Sequence, residues 1–204
     1  MKKPLVSILV VAACLVLAAP RSEADPARMR FLVHGHHDLT SRLALSADLI
    51  PSGNLLGELA PLGHLILDVK ATSWLTISPV IGYAFKPNEV IASLQLTIQT
   101  KYIWSWIDFE TQPQSWSTYW FAQVDYSPLK WLSLGLEEES WGDLSHFSLA
   151  SHGGGPNIIF RWNIFGLDLA MHVRESTPTP ANVGDPPGPS KTGAEFVARI
   201  HLFF

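Results

Sequence analysis

Apolar and polar residues alternate with a period of two along most of the chain after residue 38. Between Leu75 and Phe85, every second residue is large or apolar, and the residues between them are small or polar. In the last segment, the even positions from Phe196 to Phe204 are apolar, whereas the odd positions include Glu195 and Arg199. Strict alternation of this kind predicts β-strands with two different faces.

The alternation predicts ten strands, with eight as the alternative. They cover residues 38–49, 62–70, 73–85, 90–100, 102–110, 116–126, 130–141, 155–164, 166–174 and 194–204. Short connections alternate with long ones rich in Gly, Pro, Ser and Asn, at 50–61, 142–154 and 175–193. Short turns at one rim and long loops at the other are typical of an all-β, antiparallel up-and-down transmembrane β-barrel.

This strand count also makes predictions about domains and ends. An even number of strands predicts that both ends of the barrel lie at the same rim. The barrel domain is expected at 38–204, preceded by an N-terminal lead-in at 25–37. Residues 28–37 either extend the first strand or lead into it.

Alternation alone does not tell which face is outside, because a soluble barrel of the lipocalin type turns its apolar face inward. Charged residues make up 16% of the chain, against about 25% in an ordinary soluble domain. Trp and Tyr occur near predicted strand ends, where membrane barrels carry interfacial aromatic girdles. These aromatic residues are Trp74, Tyr83, Trp116, Tyr126, Trp131 and Trp141. Both features favour an apolar face turned towards lipid.

The N-terminus has the pattern of a secretory signal peptide over residues 1–24. Lys2 and Lys3 precede an apolar stretch at 5–19, and the small residues of Ser22-Glu23-Ala24 predict cleavage before Asp25. The apolar stretch is shorter than the roughly 20 residues of a membrane-spanning helix. A lipoprotein signal at Val11-Ala12-Ala13-Cys14 is the alternative. Cys14 is the single cysteine, so the mature chain is expected to contain no disulfide.

The C-terminal strand resembles those of bacterial outer-membrane β-barrel proteins. It ends in Ile200-His201-Leu202-Phe203-Phe204, and the stretch from Tyr126 to Leu132 is similar to a periplasmic turn entering a strand. The resemblance is to an architectural class rather than to one family. It implies a location in the bacterial outer membrane, with outer-membrane lipid and the outer-membrane assembly machinery as partners. It also implies that Ile200, Leu202 and Phe204 form the assembly signal, and it implies no activity.

The polar face of the predicted strands contains acids and bases together. Its ionisable residues are Arg42, His64, Asp68, Asp125, Glu137, Glu139, Arg161, Asp168, His172, Arg174, Glu195, Arg199 and His201. In a barrel of this size side chains fill the interior, and buried charges need partners. We therefore expect a paired lumen network, with a narrow polar pore or a substrate site as the alternatives.

Two short motifs suggest other chemistry. His146-Phe147-Ser148 resembles the His-x-Ser motif of outer-membrane lipid A deacylases, in which Ser, His and a Glu act together. Here the following strand has no acidic residue and two more strands follow, so no catalytic residue is assigned. His34, His36, His37 and Asp38 are of metal-ligand type, but a flexible lead-in rarely brings ligands together, and a solvated polar segment is expected. No metal or cofactor is predicted.

The sequence leaves three classes of function open. The first is a small outer-membrane barrel with a structural or binding role. The second is a narrow channel for small polar solutes, and the third is an outer-membrane lipid-modifying hydrolase. Nucleic-acid binding is not expected, because the chain has no basic stripe and a net charge of -4.

Overall fold

The computed structural model describes residues 28–54, 59–145, 148–177 and 189–204. The predicted signal peptide, Cys14, His146 and most of the Pro-rich segment 175–193 lie outside these ranges. The described residues form eleven strands. They are β1 (Arg28–Asp38), β2 (Leu43–Asn54), β3 (Leu59–Lys70), β4 (Leu75–Ala84), β5 (Glu89–Gln99), β6 (Ile103–Gln112), β7 (Ser117–Leu129), β8 (Leu132–Asp143), β9 (Ser148–Trp162), β10 (Phe165–Ser176) and β11 (Lys191–Phe203).

The strands close into one barrel in which each strand pairs with its neighbours in the sequence, and β1 pairs with β11. The predicted all-β barrel is confirmed, with one strand more than the ten expected. No helix among the described residues is long and apolar enough to cross a membrane.

The odd number of strands changes the closure of the barrel. β1 and β11 run parallel, with Val33 opposite Leu202, while every other pair is antiparallel. The start of β1 and the end of β11 therefore lie towards opposite ends of the barrel. The expectation of a purely antiparallel barrel with both ends at one rim was wrong, because it counted an even number of strands. Residues 28–37, which the sequence left open, lie in β1.

Two rims can now be defined. The N-terminal rim carries the start of β1, the connections 85–88 and 113–116, and the strand ends Asn54, Leu59, Asp143, Ser148, Ser176 and Lys191. The C-terminal rim carries the end of β11 and the turns 39–42, 71–74, 100–102, 130–131 and 163–164. The strand ends within the predicted long loops therefore meet at the N-terminal rim.

The predicted loop 142–154 is shorter in the structure, because β9 begins at Ser148. The first half of β9 contains Gly153, Gly154 and Gly155. Because glycine has no side chain, this part of the strand shows no alternation of apolar and polar residues in the sequence. A Cβ at Gly153 would lie 3.2 Å from Cζ of Arg174. The missing side chain at Gly153 thus leaves room for the Arg174 guanidinium inside the barrel.

The two faces of the barrel differ sharply in chemistry. Outward positions carry exposed apolar side chains such as Ile81 (61% exposed), Leu136 (61%) and Val173 (63%). Inward positions carry buried polar and charged side chains, together with a few apolar ones such as Ile91 and Phe121. The usual arrangement of a soluble protein, with its apolar residues inside, is thus inverted over most of the barrel.

Candidate functional site: the charged lumen

Glu139 is the centre of an ionic network inside the barrel. It projects inward from β8, and its side chain is fully buried. Its carboxylate oxygens contact Arg30 at 2.7 Å and Arg174 at 3.1 Å, and a third contact comes from Arg28. Three guanidiniums from β1 and β10 therefore converge on one carboxylate.

Glu195 on β11 extends this network. Nε of Arg174 donates to Glu195 at 2.6 Å, and Arg28 donates to the same carboxylate at 3.0 Å. The guanidiniums of Arg28 and Arg174 each lie 4.5 Å from the centre of the Trp141 ring, a cation–π distance. Trp141, expected in an aromatic girdle, instead shares the inward face of β8 with Glu137 and Glu139. The other predicted girdle residues, Trp74, Tyr83, Trp116, Tyr126 and Trp131, are exposed.

A second centre lies deeper in the barrel around Glu137. Arg199 donates two hydrogen bonds to it, at 2.8 and 2.9 Å, and a third to Asp168 at 3.1 Å. Nε2 of His172 lies 2.6 Å from Glu137. Arg199 on β11 thus joins β8 and β10, and a two-pronged guanidinium–carboxylate pair of this kind fixes geometry as well as charge.

Together the two centres balance four arginines, Arg28, Arg30, Arg174 and Arg199, against four carboxylates, Glu137, Glu139, Asp168 and Glu195. Pairing of this kind is what makes buried charge tolerable in a low-dielectric interior. Of the residues predicted for the lumen network, the structure brings together Glu137, Glu139, Asp168, His172, Arg174, Glu195 and Arg199.

Other predicted lumen residues lie apart from this network. Asp68 accepts hydrogen bonds from Ser46 at 2.5 Å and Ser78 at 2.6 Å. Arg161 donates to Ser133, and the His201 ring stacks on Phe203 with centroids 5.8 Å apart. These groups lie nearer the C-terminal rim. Arg42 does not face the lumen at all, because it lies exposed in the turn between β1 and β2.

Sequence reasoning missed Arg28, Arg30 and Tyr119. Arg30 donates to the Tyr119 hydroxyl at 2.8 Å, and that hydroxyl donates to Glu139 at 2.9 Å. The sequence did contain a pattern that indicates a strand here. Arg28 and Arg30 are two residues apart and would share one face, and Phe31 and Val33 would share the other. This pattern was hidden because His34, His36 and His37 suggested a solvated lead-in.

The histidines of β1 have local partners. Nδ1 of His34 lies 2.7 Å from Asp48, and Nδ1 of His36 lies 2.9 Å from Ser46. Elsewhere in the described residues, Glu139, His172 and Glu195 have ligand atoms within 4.8 Å of one another. Arginines already occupy both of those carboxylates, so an ion there would face guanidinium charge.

Two cavities lie beside the ionic network. The larger, about 610 Å³, lies towards the C-terminal rim and is lined by Asp68, Lys101, Trp104, Arg161 and His201 among others. The smaller, about 230 Å³, lies towards the N-terminal rim. Both are lined by Leu32, Asp48, Gln95 and Trp106, so the two cavities adjoin.

One polar patch interrupts the outward apolar face. It consists of Glu138 and Ser140 on β8, His152 on β9 and Glu175 on β10. Ser140 donates to Glu138, and His152 lies 3.8 Å from Glu175. Of the predicted His-x-Ser motif, Ser148 begins β9 and is exposed.

The proposed assembly residues lie at the seam between β11 and β1. The backbone N–H of Phe204 donates to His34 at 2.9 Å, and the N–H of His36 donates to Phe204 at 3.0 Å. The Phe204 side chain is exposed, whereas Ile200 and Leu202 are half-buried. Recognition of these residues by the assembly machinery stays a prediction.

Comparison with protein-family models and with curated proteins found no match for this chain.

Proposed function

We propose that the protein is a bacterial outer-membrane barrel that binds a small polar solute in its lumen and does not conduct ions. The observation that carries the proposal is the inversion of its two faces. Large apolar side chains are exposed all around the outside, and four arginines paired with four carboxylates fill part of the inside. A soluble protein rarely exposes so extensive an apolar surface, whereas a membrane barrel needs one.

The cavity near the C-terminal rim supports a binding role. Its volume of about 610 Å³ lies in the range typical of small-molecule sites, about 300–1,000 Å³. Lys70, Lys101, Lys130 and Arg161 line it together with Tyr102 and Trp104. Asp48, Asp68 and Asp168 also line the cavity, but the five lysines and arginines, which include Arg199, outnumber them. An excess of basic groups beside aromatic rings suits a small solute with an anionic group.

A binding experiment tests the solute class. The folded barrel in detergent is titrated calorimetrically with succinate and with inorganic phosphate. We expect saturable binding that Arg161→Gln weakens, whereas Lys191→Gln, at a strand end on the opposite rim, leaves it unchanged. Absence of binding, or equal weakening by both variants, would reject the anionic solute.

A narrow channel is the second candidate, because the two cavities share Leu32, Asp48, Gln95 and Trp106. Planar-bilayer recordings of the purified barrel distinguish the two. The binding role predicts no unitary current steps in wild-type protein. Regular steps that grow when Trp106 is changed to Ala would establish the channel instead.

The location has its own test. After cell fractionation, the protein should sediment with the outer membrane and migrate differently in gels before and after boiling. Recovery of the mature protein in a soluble fraction would contradict the membrane part of the proposal, whatever the lumen binds.

A further inference from the structure

His64 is a buried imidazole for which the described residues provide no hydrogen bond. It projects inward from β3 into the smaller cavity and is 5% exposed. Neither Nδ1 nor Nε2 has a hydrogen-bond partner among the described residues. A buried polar group without a partner destabilises the folded state, so the position of this imidazole calls for an explanation.

The backbone opposite His64 makes room for its ring. Gly82 on β4 is its direct partner in the sheet. A Cβ at Gly82 would lie 2.5 Å from Cδ2 and 3.2 Å from Nε2 of His64. A side chain at Gly82 would therefore push the imidazole out of its present position.

Carboxylates stand on both sides of this ring, at distances too long for hydrogen bonds. Nε2 lies 3.6 Å from Oε1 of Glu110, and Nδ1 lies 4.0 Å from Oδ2 of Asp48. Asp108 shares the inward face of β6 with Glu110, and both are buried. Asp108 accepts hydrogen bonds from the neutral side chains of Ser93 at 2.5 Å and Gln95 at 3.2 Å.

The charge balance here differs from that of the ionic network. Glu137, Glu139, Asp168 and Glu195 each contact an arginine. Of the described arginines and lysines, none places a nitrogen within 4.0 Å of a carboxylate oxygen of Asp108 or Glu110. Arg30 lines the same cavity, but its guanidinium contacts Glu139 and Tyr119. Two neighbouring buried carboxyl groups thus lack an arginine or lysine partner among the described residues.

We propose that the smaller cavity is a binding site for a divalent transition-metal ion, with Nε2 of His64 and a Glu110 oxygen as its two protein ligands and water as the others. Imidazole nitrogen with carboxylate oxygen is a donor set that suits zinc and its neighbours. Two bonds of about 2.1 Å at a tetrahedral angle separate their ligand atoms by about 3.4 Å, close to the observed 3.6 Å. The cavity of about 230 Å³ has room for the ion and for water ligands.

The site does not depend on the membrane location, since every contact lies inside the barrel. It also differs from the group Glu139, His172 and Glu195, whose carboxylates contact Arg28 and Arg174. That second group serves as an internal comparison, because it has residue types suited to metal but its carboxylates contact arginines.

Metal binding is measured on the full folded barrel in detergent, after treatment with a chelator. Zn²⁺ and Mn²⁺ are titrated separately by calorimetry, and heat-dependent gel migration confirms folding of every variant. We expect one ion per barrel for at least one of the two metals. Glu110→Gln and His64→Gln should each weaken binding at least tenfold, while Glu175→Gln, on the outward face, should leave it unchanged.

A second readout avoids substitutions that prevent folding. Co²⁺ bound to wild-type protein should give paramagnetically shifted imidazole proton signals, and these should be absent from a Gly82→Ala barrel, which displaces the ring. Failure of folded wild-type protein to bind either titrated metal at millimolar concentration would overturn the proposal. Unchanged affinity in a folded His64→Gln barrel would overturn it as well.

Discussion

Glu139 is the residue on which the charge balance of the lumen depends most. Its buried carboxylate contacts Arg28, Arg30 and Arg174. Removing its charge leaves Arg28 and Arg174 with Glu195 alone, and leaves Arg30 without a carboxylate contact among the described residues. Breaking a buried ion pair on one side costs about 3–5 kcal/mol, because the remaining charge has lost its partner.

Glu139→Gln should therefore lower the free energy of unfolding by about 3–5 kcal/mol. Urea titration of the barrel refolded in lipid vesicles measures the effect. Glu175→Gln is the matched control, since its side chain is 44% exposed and surface substitutions usually change stability by less than about 0.5 kcal/mol. Equal stability of the two variants would mean that the lumen charges are hydrated rather than paired.

Glu138 presents the opposite case, a carboxylate on the outward face. It is the seventh residue of the twelve in β8 and lies between outward Leu136 and Ser140. A charged group at mid-membrane on the lipid face costs about 2–4 kcal/mol for Arg or Lys and less for an acid. This cost follows from the proposed location alone.

The double variant Glu138→Leu with Ser140→Ala should consequently gain about 1–2 kcal/mol of stability in lipid vesicles. The second substitution removes the hydroxyl that donates to Glu138, so no unpaired group is left. Ser140→Ala alone is the control and should be less stable than wild type, because Glu138 then loses its hydrogen-bond donor on the lipid face. Destabilisation by the double variant would indicate that the outward patch contacts water or a polar partner.

Alternation along the sequence determines which side chains share a face, because the side-chain period of a strand leaves no choice once one face is known. Glu137, Glu139 and Trp141 have the same parity, so the inward position of Trp141 could have been predicted too. Its place near a strand end suggested a girdle instead. Contacts such as Arg28 with Glu139 could not be predicted, because the two residues lie 111 positions apart and meet only through closure.

At the level of elements, β1 decides the topology of the barrel. Its parallel pairing with β11 makes the strand count odd and separates the two ends. The sequence pattern was weakest here, since four of the eleven residues are the inward Arg28, Arg30, His34 and His36 and the outward side includes Gly35 and His37. The feature of β1 that indicates a strand is therefore its row of inward charged residues, not a row of apolar ones.

A cross-link tests the β1–β11 seam. Val33 lies opposite Leu202 across the seam, and Leu49 lies opposite Val33 in β2. In a chain lacking Cys14, Val33→Cys with Leu202→Cys should oxidise to a disulfide in the folded barrel, because neighbouring strands are about 4.8 Å apart. Leu49→Cys with Leu202→Cys should not, since two strand spacings exceed the disulfide range of about 4.4–6.8 Å. The reverse outcome would indicate that β2 closes directly on β11.

For the whole molecule, the sequence was sufficient for the fold class but not for the activity. The exposed apolar outside and charged inside follow from one period-two pattern. The cavities do not, because their shape depends on which inward side chains are small and where strands curve. His64 illustrates this, because its surroundings come from residues distant in the sequence. Gly82 leaves space for its ring, and the carboxylates of Glu110 and Asp48 stay beyond hydrogen-bond distance.

The orientation of the outward face is the most direct test of the membrane proposal. Single cysteines at Leu65, Ile81, Leu136 and Val173, in a chain lacking Cys14, carry a nitroxide spin label on the barrel reconstituted in lipid vesicles. The labels should collide readily with dissolved oxygen and hardly with a water-soluble nickel chelate. Labels at Asn88 and Lys101, exposed at the two rims, should show the opposite preference. Ready collision of the outward labels with the nickel chelate would show that water surrounds this face, and would contradict a barrel embedded in the outer membrane.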